Sequence, residues 1–283
     1  MTMSERPIWA FREEATMEFK DLILEKKDET ATIILNRPER LNALGAQSTF
    51  EIIDACEDAI RDSNIRVIVL TGAGEAFCAG GDHKDIFRPG FEKTALQWRH
   101  RMRTASNRLV TLLSGSEKPI IASVNGIAVG GGCTIAMACD IRIASERARF
   151  GLVFSKIGAT PEFGCSYLLP RLVGLGKALE LLFTADVIEA REAERIGLVN
   201  KVVSHEKLKD ATREFVEKLL EKPPAALGIA KSLLYRSLSA DMLSQLELEA
   251  FAISTAFKTE EHQEAVKAFL EKRKPKFKDS KNV

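Results

Sequence analysis

The chain has 283 residues, 45% hydrophobic and 29% charged, enough apolar material for one large domain or a domain with an appendage. Forty-one basic against forty acidic residues leave a net charge of +1, which gives no global attraction to nucleic acid or an anionic membrane, so any polyanion must be met locally. The cysteines, Cys56, Cys78, Cys133, Cys139 and Cys165, are odd in number and lack Cys-x-x-Cys spacing, as expected in a reducing compartment without structural zinc.

Residues 1–16 mix acids with arginines, lack the apolar segment of a secretory signal, and read as a flexible extension. From Phe19, Leu22-Ile23-Leu24 and Ala31-Thr32-Ile33-Ile34-Leu35 read as strands, followed by an amphipathic helix over 46–62 with Phe50, Ile53, Cys56 and Ile60 at helical spacing. A strand at Val67-Ile68-Val69-Leu70 leads to Phe77-Cys78-Ala79-Gly80-Gly81-Asp82, and a helix is expected over 94–113. Another strand, Ile120-Ile121-Ala122-Ser123-Val124, leads to Asn125-Gly126-Ile127-Ala128-Val129-Gly130-Gly131-Gly132, with a helix beginning near Gly131 and a strand from Ile141.

This alternation argues for an α/β fold over 17–204. Residues 205–283 read as a charged helical segment, in which Pro223-Pro224 opens one helix and Leu243, Leu246, Leu248, Phe251 and Phe257 supply apolar faces. No apolar run is long enough to span a bilayer, and Lys281-Asn282-Val283 is not a peroxisomal address, so the cytoplasm is the expected location.

The two glycine clusters carry the chemistry. Glycines after strands are either plain turns or places where backbone N–H groups approach a ligand without an intervening Cβ. Two such N–H groups aimed at one oxygen make an oxyanion hole. Other chemistries fit worse. Gly72-Ala73-Gly74-Glu75-Ala76-Phe77 puts Phe77 where a dinucleotide fingerprint needs a small residue, and the phosphate-loop and Gly-x-Ser-x-Gly patterns are missing. His205-Glu206 lacks the second histidine of a zinc motif, and the four histidines are scattered, so no metal site is expected. Acid–base chemistry leads.

Together with Asn36-Arg37-Pro38-Glu39-Arg40-Leu41-Asn42-Ala43-Leu44, Ala138-Cys139-Asp140-Ile141-Arg142-Ile143-Ala144 and Arg195-Ile196-Gly197-Leu198-Val199-Asn200, the clusters resemble the enoyl-CoA hydratase/isomerase (crotonase) superfamily over residues 17–278. The resemblance implies a spiral of ββα units followed by a C-terminal helical trimerisation segment, in a homotrimer or dimer of trimers. It implies an acyl-CoA thioester as substrate, with coenzyme A entering as part of that substrate and no separate cofactor. The oxyanion donors would be Gly81 and Gly131.

In hydratases of this family two glutamates position a water. The matching residues here are Thr134 and Phe154, neither of which has useful basicity near neutral pH. Family isomerases carry their carboxylate in a segment like Gly158-Ala159-Thr160-Pro161-Glu162-Phe163-Gly164-Cys165-Ser166-Tyr167, where Glu162 matches. Glu162 therefore reads as a catalytic base with a pKa raised by apolar neighbours. It reads alternatively as a first-turn residue of a helix with Thr160 at the N-cap and Pro161 at N1.

By the same resemblance, the substrate-binding positions are Leu41, Ala43, Ala79, Gly81, Asp82, His83, Lys84, Gly131, Thr134 and Phe154. His83 would stack on adenine or stay solvated in its loop. Arg37, Arg40 and Lys84 are candidate phosphate contacts, and the run Lys272-Arg273-Lys274-Pro275-Lys276 is either another or a solvated tail. The loop over 86–96 and the segment bearing Glu162 would set acyl specificity. Enoyl-CoA isomerisation is the expected reaction. Hydration, acyl-CoA hydrolysis, dehalogenation or a lyase reaction, and non-catalytic acyl-CoA binding, are the alternatives.

Overall fold

The β-branched runs become strands of two sheets in the computed structural model, which describes residues 18–86 and 93–277. The extension over 1–16 lies outside the described residues. β1 (Leu22–Lys27) and β2 (Thr30–Leu35) form an antiparallel hairpin with Asp28 and Glu29 at positive φ in its turn. After a 3₁₀ turn at Pro38–Arg40 comes α1 (Ser48–Arg61), slightly shorter than the helix expected over 46–62.

β3 (Val67–Gly72) and β4 (Ala76–Cys78) precede α2 (His83–Ile86), α3 (Ala95–Met102), a π-helical turn at Arg103–Asn107 and α4 (Arg108–Gly115). β5 (Ile120–Val124) and β6 (Ile127–Val129) precede α5 (Gly131–Ala138). β7 (Ile141–Ser145) and β8 (Arg149–Gly151) lead through a 3₁₀ turn at Val153–Ile157 to α6 (Cys165–Val173) and α7 (Leu175–Thr184). β9 (Val187–Glu189), α8 (Ala190–Arg195) and β10 (Lys201–Val203) follow. The C-terminal helices are α9 (Leu208–Leu220), α10 (Pro224–Ser237), α11 (Met242–Ala256) and α12 (Glu260–Leu270).

The large sheet has the order β1-β2-β3-β5-β7-β10 and the small one β4-β6-β8-β9. After the β1–β2 hairpin, which stays in the large sheet, the pairs β3–β4, β5–β6 and β7–β8 each give their first strand to the large sheet and their second to the small one, so β3, β5 and β7 run parallel, as do β4, β6 and β8. This is the ββα spiral. It corrects one expectation: a second short strand stands between each long strand and its glycine cluster, so the clusters end β4 and β6. Buried asparagines stabilise the reversals. The Asn42 amide donates to the Ala73 and Ala76 carbonyls, and that of Asn125 to the Gly74 and Ala76 carbonyls.

Parallel neighbours release their following loops at the same end of the sheet, the end where α/β proteins collect ligands. The loops after β4, β6 and β8 therefore emerge side by side. The continuous apolar runs of β3 and β5 follow from burial on both faces. Ile68, Leu70 and Ile120 face the main core, whereas Val67, Val69 and Ile121 pack with Leu208, Ala211 and Val216 of α9.

α10 is pinned to the spiral by Asp140, which pairs with Lys231 at 2.8 Å and accepts from the Tyr235 hydroxyl at 3.0 Å. Leu243, Leu246, Phe251 and Phe257 are exposed on the single chain. The five cysteines are buried and form no disulfide. No described helix is long and apolar enough to cross a membrane.

Candidate active site

The site is built where the β4, β6 and β8 loops meet. The Leu44 N–H donates to the Gly80 carbonyl at 2.7 Å, and the Asp82 N–H donates to the Leu44 carbonyl at 2.9 Å. In a parallel bridge of this kind the residue between, Gly81, turns its own N–H away from Leu44. It faces a cavity of about 480 Å³, which Gly81 lines. Gly131 lines the same cavity as the first residue of α5, so its N–H is among the helix-initial donors with no intrahelical acceptor.

The left-handed backbone falls on the preceding residues, Gly80 (φ 83°) and Gly130 (φ 52°). A Cβ on Gly80 would stand 2.8 Å from the Val129 carbonyl oxygen and 3.6 Å from the Gly131 nitrogen, which shows how closely the two loops approach.

Glu162 reaches this cavity from outside the regular elements. Phe163 (φ 51°) and Gly164 (φ 73°) are both left-handed, which interrupts a right-handed helix, and α6 starts only at Cys165 with Gly164 as its N-cap. The expectation of a helix with Thr160 at the N-cap and Glu162 in the first turn is thereby corrected. The carboxylate is half-buried on the cavity wall, and its Oε1 lies 3.6 Å from where a Cβ of Gly131 would stand. Burial raises its pKa above the ordinary carboxylate value, while the positive charge of Arg101 opposes that rise.

The other predicted positions separate into wall and frame. Ala79, His83 and the 7%-exposed Phe154 line the cavity. Thr134 does not: it is fully buried inside α5 and its hydroxyl donates to the Gly130 carbonyl at 3.0 Å. Asp82 also turns inward, accepting from Arg37 Nη2 at 3.0 Å and, at the start of α2, from the Lys84 N–H at 3.1 Å. Arg37 is committed as well, to Asp82, Asp21, Asp85 and the Ala43 carbonyl, so it frames the loop instead of offering a free phosphate contact.

Leu41 and Ala43 belong to this frame. The Leu41 carbonyl accepts from the Ala79 N–H, and Ala43 is buried. Lys84 is exposed beside the cavity, and Arg40 lies 3.8 Å from Asp82. In the C-terminal basic run, Arg273 pairs with Glu264 and Glu271, and Lys274 with Glu221. Residues 87–92 of the loop expected over 86–96 lie outside the described residues. Among the described residues, no group of three His, Cys, Asp or Glu side chains is placed to hold a metal.

Several wall residues were not anticipated from the sequence: Thr49 from α1, Trp98, Arg101 and Met102 from α3, and Ala105 and Ser106 from the π-helical turn. The spacing 98, 101/102, 105/106 is helical, a signal obscured by the charge of Arg101 and the polarity of Ser106.

The sequence pattern of the enoyl-CoA hydratase/isomerase family matches residues 25–281. The chain is 42% identical to the short-chain-enoyl-CoA hydratase of Clostridium acetobutylicum over 259 residues, covering 91% of this chain and 97% of that one. It is 35% identical to the 1,2-epoxyphenylacetyl-CoA isomerase of Escherichia coli, with coverage of 87% and 94%. The crystal structure of an enoyl-CoA hydratase from Bacillus anthracis superposes with a TM-score of 0.86 at 33% identity, covering 92% of this chain and all of that one. The spiral, the paired glycine loops and these matches agree: the chain belongs to the enoyl-CoA hydratase/isomerase family of the crotonase superfamily.

Proposed function

We propose that the protein is an enoyl-CoA isomerase that moves a double bond of an acyl-CoA thioester from the 3,4 to the 2,3 position, with Glu162 as its base. One observation carries the reading. The carboxylate beside Gly131 has no acidic companion at either hydratase position, since one holds Thr134, buried within α5, and the other holds Phe154, which presents a phenyl ring.

The thioester carbonyl oxygen accepts from the Gly81 and Gly131 N–H groups, so negative charge developing on it is met by fixed donors. Glu162 takes a proton from C2. The C2–H electrons move into the C1–C2 bond and the carbonyl π electrons onto the thioester oxygen, giving a dienolate; as the carbonyl re-forms, the C1–C2 π electrons close the C2–C3 double bond and the C3–C4 π electrons take the proton back from Glu162 at C4. One base thus serves both transfers, and no metal or redox cofactor is needed. Each oxyanion donor supplies on the order of 10²–10³ in rate, and a positioned base about 10²–10⁴. A base with a raised pKa binds its proton well enough to hold it between the two transfers.

The hydratase names of the relatives favour hydration as the second reading. Incubation with matched 3-enoyl-CoA and 2-enoyl-CoA thioesters, with product identification by mass and chromatography, separates the two. Isomerisation conserves mass; hydration adds a water.

The assembly we propose is a homotrimer or dimer of trimers. Its support is the apolar surface that the C-terminal helices expose, including Leu243 at 76%, Phe251 at 74% and Phe269 at 82%. Light scattering on the purified chain measures that state.

A further inference from the structure

We infer that Arg101 selects the acyl group, and that the substrate is the monothioester of a short dicarboxylic acid whose free carboxylate pairs with the Arg101 guanidinium. The inference rests on the acyl-CoA reading of the site, though not on isomerisation.

Arg101 is half-buried on the wall of the cavity that holds Gly81, Gly131 and Glu162. Its Nη2 donates to the Ala46 carbonyl at 2.9 Å, and its guanidinium carbon stands 5.7 Å from the centre of the Phe50 ring. These contacts fix its orientation without neutralising it. Among the described residues, no carboxylate makes an ion pair with it, and Glu162 acts on it only through charge at longer range. Arg37 meets Asp21, Asp82 and Asp85, and Lys231 meets Asp140, whereas Arg142 and Lys118 end on several backbone carbonyls each; Arg101 has one carbonyl and a cavity in front of it.

A guanidinium drawn partly out of water beside a mostly apolar cavity loses hydration that an anion would restore. Its planar fork matches the two oxygens of a carboxylate. The surroundings extend that preference. The buried hydroxyl-bearing residues Thr49 and Ser106 line the same wall, and the Ser106 hydroxyl donates to the Met102 sulfur at 3.7 Å, a weak acceptor that leaves it able to donate to a stronger one. Arg101 also lines a second hollow, with Phe50, Leu96, Gln97, His100 and Thr104 around it. A chain ending in carboxylate offers the Arg101 guanidinium and the Ser106 hydroxyl a stronger acceptor than the Ala46 carbonyl and the Met102 sulfur they now meet.

The test uses saturated thioesters, which can be neither isomerised nor hydrated. Glutaryl-, adipoyl- and suberoyl-CoA are compared with pentanoyl-, hexanoyl- and octanoyl-CoA by calorimetric titration of the intact protein. At one chain length or more, the dicarboxylic ester should bind tenfold to about a hundredfold tighter than its methyl-ended partner, the range of a hydrogen bond to a charged group. Arg101→Gln should bring that ratio close to one, and Arg101→Lys, which keeps the charge without the fork, should leave it in between.

Equal or tighter binding of the methyl-ended ester at every length overturns the inference, as does a preference that survives in folded Arg101→Gln. Should that variant fail to fold, the wild-type ratios and the Arg101→Lys ratios still decide. Failure of the isomerase reading would look different: no double-bond shift with any 3-enoyl-CoA, while the binding preference persists.

Discussion

Glu162 Oε1 lies 3.6 Å from the point a Cβ of Gly131 would occupy, so the carboxylate of one loop and the helix-initial N–H of another share one small volume. A thioester whose carbonyl oxygen rests on that N–H brings its C2, one bond beyond the carbonyl carbon, toward Glu162. Gly131 must stay bare for this. The same Cβ would meet the Phe163 ring at 3.1 Å, and the methyls of valine would extend further into the cavity.

Gly131→Val should therefore lower turnover by on the order of 10² or more, with weakened binding of the thioester. Because the left-handed backbone is on Gly130 and Gly80, Gly131→Val keeps an allowed backbone, and the protein should remain folded by circular dichroism. Gly130→Ala is expected to behave differently, with loss of stability as well as activity, because its φ of 52° strains any residue with a Cβ. Thermal unfolding of the two variants separates the effects.

Removing the base should cost activity and return stability. The folded carboxyl of Glu162 binds its proton more tightly than an unfolded one. Its contribution to stability is thus present below the ordinary glutamate pKa and is lost as pH rises through the raised folded value. At neutral pH the buried charge is a burden. Glu162→Gln, tested near pH 7.5, should show turnover reduced about 10²–10⁴-fold, thioester affinity nearly retained, and an unfolding midpoint equal to or above that of the wild type. A lower midpoint together with equal losses of affinity and turnover would assign Glu162 a structural role.

The same carboxyl should set the acidic limb of the pH–rate profile. kcat/KM is expected to fall as pH drops through a pKa above the ordinary 4.5 of a glutamate. Arg101 opposes the effect of burial, so Arg101→Gln should move that limb to still higher pH. Profiles of the two proteins with one 3-enoyl-CoA whose acyl chain is a plain hydrocarbon check the direction.

Asp82 holds the oxyanion loop from behind, through Arg37 Nη2 at 3.0 Å and the Lys84 N–H at 3.1 Å. Asp82→Ala removes one acceptor from Arg37, which keeps Asp21, Asp85 and the Ala43 carbonyl, and should cost about 1 kcal/mol of stability, measured by denaturant unfolding. It should also raise KM, because the Gly80–Gly81 turn loses its anchor.

Much of this arrangement was legible in the sequence, and the reasons differ by residue. Val67–Leu70 and Ile120–Val124 announce themselves because both faces of a central parallel strand are buried, which leaves an unbroken apolar run. The α5 start at Gly131 followed from glycines after such a run. β4 and β6 were missed because three-residue strands carry too little pattern to separate from a turn.

The identity of Glu162 was readable from its segment, but its local backbone was not. Thr160-Pro161-Glu162 imitates a helix start, and only the left-handed Phe163 and Gly164 postpone α6 to Cys165. Thr134 was expected at the substrate because the family resemblance puts a hydratase glutamate at its position, yet on α5 it is fully buried and bonds to Gly130. Arg101, Trp98 and Ser106 reach the cavity through long-range packing of α3 and the π-helical turn, a relationship that no local pattern encodes.

The most direct measurement follows one reaction in deuterium oxide: a 3-enoyl-CoA incubated with wild-type protein and with Glu162→Gln, the products resolved by chromatography and mass. The account predicts a 2-enoyl-CoA from the wild type, with no mass gain beyond exchanged deuterium, and a rate at least about 10²-fold lower from Glu162→Gln. Recovery of the 3-enoyl-CoA with its double bond unmoved, or a 2-enoyl-CoA formed equally fast by both proteins, would contradict it.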